Sequence, residues 1–241
     1  SKLKGRNIVR SKRTKQRIES VHTMAAKVGS THSVLGWVEG PFAEYADLRG
    51  VEAAMLDLMD RPGFFARAAD AIIDNEIKFA LAQVKAGADM IGIGDAAASL
   101  ISPLAYKELV LPLEQKLIAA IHEAGAAAKL HICGNTINHV SYMAKSGADI
   151  IDVDWMVPLD RARELAGPDA TLCGNFDPTA VLLQGTPQQV AEAARKCIRL
   201  GGKKFILMPG CEVPPATPEE NIRAFCPCDG CLICEELKCR K

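Results

Sequence analysis

Histidine and cysteine side chains with the spacing of metal ligands end two apolar segments of the chain. His131 and Cys133 are separated by one residue, so on a β-strand both side chains point to the same face of the sheet. Cys211 follows Pro209 and Gly210 at the end of a second apolar segment. Three ligands of the His/Cys type are typical of a catalytic zinc site with a fourth position for water or substrate. The spacing alone fits equally well a buried structural histidine beside two unreactive cysteines.

The composition sets the class of protein that can carry such a site. The chain has 241 residues, 49% of them hydrophobic, and its 29 basic residues balance 29 acidic ones. This length suits one globular core, and (β/α)8 barrels reach roughly 200–250 residues as a single domain. No stretch of about 18 apolar residues is present, and the nine cysteines form no regular framework that would indicate disulfides. We therefore expect a cytoplasmic protein that binds neither nucleic acid nor membranes.

The two ends of the chain differ in composition from its middle. Residues 2–17 carry eight Lys and Arg side chains and no acidic one. Residues 1–30 are expected to form a basic helical segment ending near Val28, although an anion-binding arm or a segment exposed by truncation is an alternative. Residues 226–241 form a cysteine-rich tail with five thiols. Their spacing resembles a ferredoxin ligand pattern only in part, so a metal-binding tail and an irregular terminus both remain open.

Between the two ends, apolar β-rich segments alternate with helical ones, which predicts βαβ units and a parallel sheet. The predicted strands are Val34–Val38, Met90–Ile93, Ala128–Ile132, Asp149–Val153, Thr171–Gly174 and Phe205–Met208. The longer predicted helices are Val51–Asp60, Pro62–Ala86, Pro103–Ala124, Asn138–Ser146 and Pro187–Leu200. The strands are apolar along their whole length, as expected for strands that are covered on both faces.

Polar residues gather where the predicted strands end, which favours a barrel over a doubly wound sheet. Glu39, Asp95, His131, Asp154 and Cys211 all stand at or just past such an end. A (β/α)8 barrel assembles its active site at the carboxyl ends of its strands. A doubly wound sheet would confine the site to one crevice. The expected fold class is therefore α/β, a TIM (β/α)8 barrel.

Several short motifs resemble the uroporphyrinogen decarboxylase superfamily over roughly residues 31–225. They are His-Ile-Cys-Gly-Asn at 131–135, Gly-Asn-Phe-Asp-Pro at 174–178, the segment 210–221, Gly-Pro-Phe at 40–42, Leu-Arg-Gly at 48–50 and Leu-Ile-Ser-Pro at 100–103. Within that superfamily they are similar to the zinc-dependent methylcobamide:thiol methyltransferases, because the decarboxylases lack the His-x-Cys and distal Gly-Cys pair. The resemblance implies that His131, Cys133 and Cys211 bind Zn²⁺. It also implies an eight-stranded barrel whose last six βα units are residues 31–225, with the first two strands missing from this chain.

The resemblance implies methyl transfer between a corrinoid on a separate carrier protein and a thiol such as coenzyme M. Coordination to zinc deprotonates a thiol, and the resulting thiolate attacks the methyl group on cobalt(III). Asp95 and Glu39 are the candidate catalytic residues. Each is expected to accept the thiol proton, to fill the fourth zinc position before substrate arrives, or to orient His131 through its second nitrogen. Residues that bind the corrinoid are not assigned.

Three other functions fit the same residues. The first is the opposite half-reaction, in which a methylated small molecule gives its methyl group to cobalt(I). The second is decarboxylation of a porphyrinogen, which needs no metal. The third is a non-catalytic barrel that only holds a metal.

Overall fold

The computed structural model describes residues 8–225 of the chain, in which six strands form one sheet in chain order. The strands are β1 (Leu35–Glu39), β2 (Met90–Gly94), β3 (Ala127–Ile132), β4 (Ile150–Val153), β5 (Thr171–Phe176) and β6 (Phe205–Pro209). The pairs β1–β2, β2–β3 and β5–β6 run parallel. Each observed strand lies within two residues of its predicted bounds.

Helices separate the successive strands, as the βα alternation predicts. They are α1 (Lys12–Val28), α2 (Pro41–Arg49), α3 (Val51–Asp60), α4 (Pro62–Lys85), α5 (Pro103–Ala105), α6 (Leu111–Glu123), α7 (Val140–Met143), α8 (Leu159–Ala166), α9 (Pro187–Gly201) and α10 (Glu219–Phe225). No helix among the described residues is both long enough and apolar enough to cross a membrane. The cysteine-rich tail predicted for residues 226–241 lies outside the described part of the chain.

The described residues fold as two compact units, and the first consists of 8–133 with 141–150. In this unit the register aligns Trp37 of β1 with Gly92 of β2. The Trp37 ring lies where side chains at Gly92 and Gly94 would project, since a Cβ atom there would lie only 2.3 and 2.5 Å from it. On the opposite face of β1, a Cβ at Gly36 would meet Gln83 of α4 at 2.9 Å. One face of this part of the sheet therefore packs on α4, and the other carries the Trp37 ring.

The second unit consists of 134–140 with 151–225 and is built around β5, β6 and α9. Ala191 and Ala194 of α9 are fully buried, and Leu207 of β6 packs against them. The rings of Phe176 at the end of β5 and Phe225 of α10 meet edge to face with centroids 5.4 Å apart. This unit therefore has an apolar core of its own.

The predicted helix Pro103–Ala124 is interrupted in the structure. A π-helical turn spans Tyr106–Val110 between α5 and α6. Pro112, the second residue of α6, has no backbone N–H, and its ring would clash with the carbonyl of Glu108 in a continuous α-helix. Widening the preceding turn relieves that conflict, and it leaves Tyr106 fully buried.

Candidate functional site

His131 and Cys133 lie together at the carboxyl end of β3. The imidazole Nε2 of His131 is 3.1 Å from the Cys133 Sγ, and the His131 side chain is buried. The register aligns Glu39 with Gly94 and Gly94 with His131. Aligned residues of neighbouring parallel strands point to the same face of a sheet. Glu39 and His131 therefore share one face and one row, with a glycine between them.

Glu39 is exposed at the end of that row. Partial burial raises the pKa of the Glu39 carboxyl, and the nearby charge of Asp47 raises it further, while a side-chain hydrogen bond with Trp37 and the charge of Arg17 lower it. A carboxylate with a raised pKa is a better proton acceptor than an ordinary glutamate. Its predicted catalytic role stays a prediction.

Asp95, the other predicted catalytic residue, is fully buried and turned toward the first turn of α2. Its Oδ1 accepts a hydrogen bond from the Ala43 N–H at 2.6 Å, and its Oδ2 accepts one from the Phe42 N–H at 3.3 Å. Its own backbone N–H donates to the His131 carbonyl at 2.9 Å. These contacts join the ends of β2 and β3 to the start of α2. These contacts favour a role for Asp95 in positioning the loops. Its predicted catalytic role stays a prediction.

The fully buried carboxyl of Glu114 in α6 lies next to that of Asp95. The Tyr106 hydroxyl, from the π-helical turn, donates to the Glu114 Oε2 at 2.5 Å. Burial raises the pKa of Asp95 to about 7, against the lowering effect of the two backbone N–H donors. Burial, and then the charge of Asp95, raise the pKa of Glu114 well above its ordinary range. Two facing buried carboxyls cannot both be ionised, so this pair holds at least one proton at neutral pH.

Asp154 and Cys211 stand at two loop positions of the second unit. The Asp154 Oδ2 accepts from the Gly134 N–H at 2.8 Å, and its Oδ1 accepts from the Met156 N–H at 2.8 Å. Gly210 precedes Cys211 and lies against the Trp155 backbone, where a Cβ would be 2.4 Å from the Trp155 nitrogen. The missing side chain at Gly210 thus lets the chain carry Cys211 close to the loop after β4. This unit supplies a thiol and a carboxylate as potential metal ligands.

Asn175 and Asp177 shape the neighbouring loops. The Asn175 Nδ2 donates to the carbonyls of Asp154 at 3.2 Å and Val157 at 2.6 Å. The Asp177 Oδ1 accepts from the backbone N–H groups of Thr179 and Ala180, which caps the turn that follows β5. These contacts give both residues a structural role.

Three other His and Cys residues of the described chain lie outside the predicted ligand set. His122 contacts the Asp149 carboxylate at 2.8 Å on the surface of α6. Cys173 and Cys197 are buried and free of disulfide bonds, and burial raises the pKa of the Cys197 thiol. A thiol with a raised pKa is a poor nucleophile.

The sequence predicts no role for Glu114. It also does not predict Asp154 as a metal ligand. Glu114 follows Leu111 by three residues and precedes Leu117 and Ile118 by three and four. An acidic side chain on the apolar face of a helical pattern indicates a buried carboxyl. Asp154 carries no comparable signal, because acidic residues are common after strands.

Comparisons with known proteins extend over most of the chain. The family model "Uroporphyrinogen decarboxylase (URO-D)" matches residues 1–228. The methylcobamide:CoM methyltransferase MtbA of Methanosarcina acetivorans is 34% identical over 213 residues, which are 88% of this chain and 62% of that protein. A protein named uroporphyrinogen decarboxylase from Rhodococcus opacus is 32% identical over 174 residues, 70% of this chain and 48% of the relative.

A solved structure has the same fold. A methyltransferase from Methanosarcina mazei superposes with a TM-score of 0.85 at 29% identity, covering 92% of this chain and 65% of that one. The chain thus spans between 48% and 65% of the length of these relatives. The predicted α/β fold of the uroporphyrinogen decarboxylase barrel type is confirmed. Because the family match covers nearly the whole sequence, this chain belongs to the uroporphyrinogen decarboxylase family.

Proposed function

We propose that His131, Cys133 and Cys211 bind a zinc ion. In the first unit the His131 Nε2 lies 3.1 Å from the Cys133 Sγ, and in the second unit the ligand atoms of Asp154 and Cys211 lie within 4.8 Å of each other. One imidazole nitrogen and two thiol sulfurs form a donor set that Zn²⁺ accepts, and three protein ligands leave a fourth position open. The contact between His131 and Cys133 at the end of β3 is the observation that carries the proposal, and the resemblance to the zinc-dependent methyltransferases adds Cys211.

Asp154 would be a further residue able to hold the metal ion while no substrate is bound, because its carboxylate lies within 4.8 Å of the Cys211 thiol in the second unit. Both of its carboxylate oxygens accept backbone N–H groups, and one of these belongs to Gly134, directly after the ligand Cys133. A carboxylate that is already hydrogen-bonded is a weaker metal ligand than a free one. Asp154 would therefore hold the ion only weakly, and its hydrogen bonds would keep the side chain in place when substrate binds.

We propose that the whole protein transfers a methyl group between a methylcobamide, held by a separate corrinoid carrier protein, and a small thiol such as coenzyme M. The names of the relatives support this reaction, since several are methylcobamide:CoM methyltransferases. Bound zinc would lower the pKa of a coordinated thiol so that it reacts as a thiolate. A carbon–sulfur bond forms, the cobalt–carbon bond breaks with its electron pair left on cobalt, and the thiol proton departs.

Two carboxylates of this chain have proposed roles in that reaction. Glu39 shares a row and a sheet face with His131, and its raised pKa suits it to accept the thiol proton. Asp95 is a positioning residue, because its carboxylate joins the end of β2 to the loop that follows Glu39. Its raised pKa reflects burial within that structural contact.

The same cluster supports a close alternative, in which a methylated small molecule gives its methyl group to cobalt(I). Decarboxylation is less well supported even though relatives with that name match the chain, because it gives no role to a His/Cys metal cluster. The four described cysteines form no disulfide bonds, which supports our further proposal of a reducing, cytoplasmic location.

The proposed reaction is tested with methylcobalamin and coenzyme M as substrates. Metal-depleted protein should be inactive, and one equivalent of zinc should restore formation of the methylated thiol. Cys133→Ala should remain inactive after zinc is added, whereas the matched variant Cys197→Ala, which removes a buried thiol elsewhere, should remain active. Equal turnover by metal-depleted and zinc-loaded protein would contradict the proposal.

A further inference from the structure

We propose that Trp155 and Met156 form an apolar platform that binds the corrin ring of the methyl donor. The inference rests on the proposed function and adds to it the residues that contact the donor. Trp155 is 45% exposed and Met156 48% exposed, although both are large apolar side chains. Exposed apolar residues that stand next to one another on a surface frequently mark a binding site.

The platform stands on a loop that is held rigidly at both ends. The residues on either side of it, Asp154 and Val157, are only 3% and 1% exposed. The Asn175 Nδ2 donates to the carbonyls of both flanking residues, and the Asp154 carboxylate accepts from the Met156 N–H. The two apolar side chains are therefore exposed on a loop whose backbone is held in place. A fixed loop loses little conformational entropy when a ligand binds.

The platform also borders two of the proposed metal ligands in the second unit. Asp154 immediately precedes Trp155, and its ligand atom lies within 4.8 Å of the Cys211 thiol. Gly210, the residue before Cys211, packs on the Trp155 backbone, where a Cβ would be 2.7 Å from the Trp155 Cα and Cβ atoms. Trp155 is thus adjacent to the proposed zinc ligands both along the chain and across the contact with Gly210.

The chemistry of the donor explains why this surface suits a corrin ring. The methyl group is attached at the centre of a macrocycle that is far wider than the methyl group itself. A sulfur atom near Cys211 that reaches this methyl carbon must bring the ring over the side chains that surround the metal ligands. Indole and thioether side chains present polarisable apolar surface that packs well on a flat conjugated ring. A small thiol could not cover both side chains.

Tryptophan fluorescence tests the proposal independently of catalysis, because Trp37 and Trp155 are the two tryptophans of the chain. Methylcobalamin absorbs where tryptophan emits, so a ring bound against Trp155 should quench its emission. The Trp37→Phe variant leaves Trp155 as the reporter, and Trp155→Phe leaves Trp37. Free N-acetyltryptophanamide corrects for absorption of light by the ligand. The full-length chain is titrated in each case.

We expect saturable quenching in Trp37→Phe and a dissociation constant for methylcobalamin that rises about 5-fold in Trp155→Ala. Met156→Ala should weaken binding by a smaller factor. Met59→Ala, which removes a methionine that is 83% exposed in α3, is the matched control and should bind as the parent does. Thermal melts of each variant check that the fold is retained.

Unchanged affinity in both Trp155→Ala and Met156→Ala would overturn the proposal, as would quenching of Trp37 alone. Zinc content and thiol binding, measured on the same samples, separate this failure from failure of the proposed function. A protein that holds zinc and binds coenzyme M but does not quench through Trp155 refutes the platform only. A protein that holds no zinc refutes the proposed function itself.

Discussion

Replacement of Glu114 by alanine is expected to destabilise the protein far more than its replacement by glutamine. Glu114 and Asp95 are both fully buried and face each other. Asp95 already accepts two backbone N–H groups, and Glu114 accepts the Tyr106 hydroxyl. If Glu114 holds the shared proton, a glutamine amide can replace it, because the amide NH2 donates to Asp95 and the amide oxygen accepts from Tyr106.

The magnitudes follow from the contacts that each variant loses. Glu114→Ala removes a donor from the buried Asp95 carboxylate and an acceptor from Tyr106, and each buried group left without a partner costs about 1–3 kcal/mol. We expect Glu114→Ala to lower the free energy of unfolding by about 2–5 kcal/mol. Glu114→Gln should stay within about 1 kcal/mol of the parent at pH 5. Asp95→Asn should cost about 1–3 kcal/mol, since an amide cannot accept all the hydrogen bonds that the carboxylate accepts.

The pH dependence of unfolding provides a second signature of the same pair. The pKa of Glu114 is raised above 4.5 in the folded state, so the folded protein binds more protons than the unfolded chain above that pH. Its contribution is complete below about pH 4.5 and is lost as the pH rises toward the folded pKa, at up to about 1.4 kcal/mol per unit. Glu114→Gln removes this dependence, and its stability relative to the parent should therefore rise between pH 5 and pH 8.

Urea unfolding at pH 5, 6, 7 and 8 measures both effects. A Glu114→Gln variant as unstable as Glu114→Ala, together with an Asp95→Asn variant of parental stability, would refute the reasoning. That pattern would assign the proton to Asp95 and leave Glu114 as the ionised member.

Three further perturbations test other parts of the structure. The hydrogen bond with Arg49, more than any other contact, lowers the pKa of Asp57 to about 2. The stability that the ionised Asp57 contributes should therefore be present above pH 3.8 and fall as the pH drops toward 2. Asp57→Asn should remove this loss of stability at acid pH in thermal melts. Gly210→Ala, which would force a Cβ against the Trp155 backbone, should lower zinc content although every proposed ligand remains, and full zinc occupancy would count against the close packing. Asp177→Ala should lower the free energy of unfolding by about 1 kcal/mol while leaving zinc content unchanged, and the reverse ranking in a melt and a metal assay would contradict its capping role.

Much of the fold was predictable because the alternation of apolar, strand-forming segments with helical segments is a local property of the sequence. The strand bounds and the helix Val51–Asp60 follow directly from that pattern. The π-helical turn before Pro112 was not predicted, because the sequence shows the proline but not whether the helix stops or widens there. The helix Pro41–Arg49 was not predicted either. Its buried residues Phe42, Ala43 and Ala46 lie on several sides of the helix, so its sequence shows no single apolar face.

The candidate site was predictable in its ligand types but less so in its supporting contacts. His131 and Cys133 share a face because their spacing matches the strand period, and the structure brings their side chains together. Asp95 turned instead toward the start of α2, a contact between residues 52 positions apart that no local pattern encodes. The partnership of Asp95 with Glu114 is equally non-local. Burial of an acid can be anticipated from helical spacing, whereas its partner requires the fold.

The metal content of the full-length protein and of its Cys211→Ala variant tests the proposed zinc site directly. Elemental analysis by inductively coupled plasma mass spectrometry, on samples purified without added metal, should give about one zinc per chain for the parent, plus any held by residues 226–241. Cys211→Ala should lose one equivalent while keeping the parental circular dichroism spectrum, and the matched Cys197→Ala variant should lose none. Zinc that persists in full in a folded Cys211→Ala variant would contradict the account.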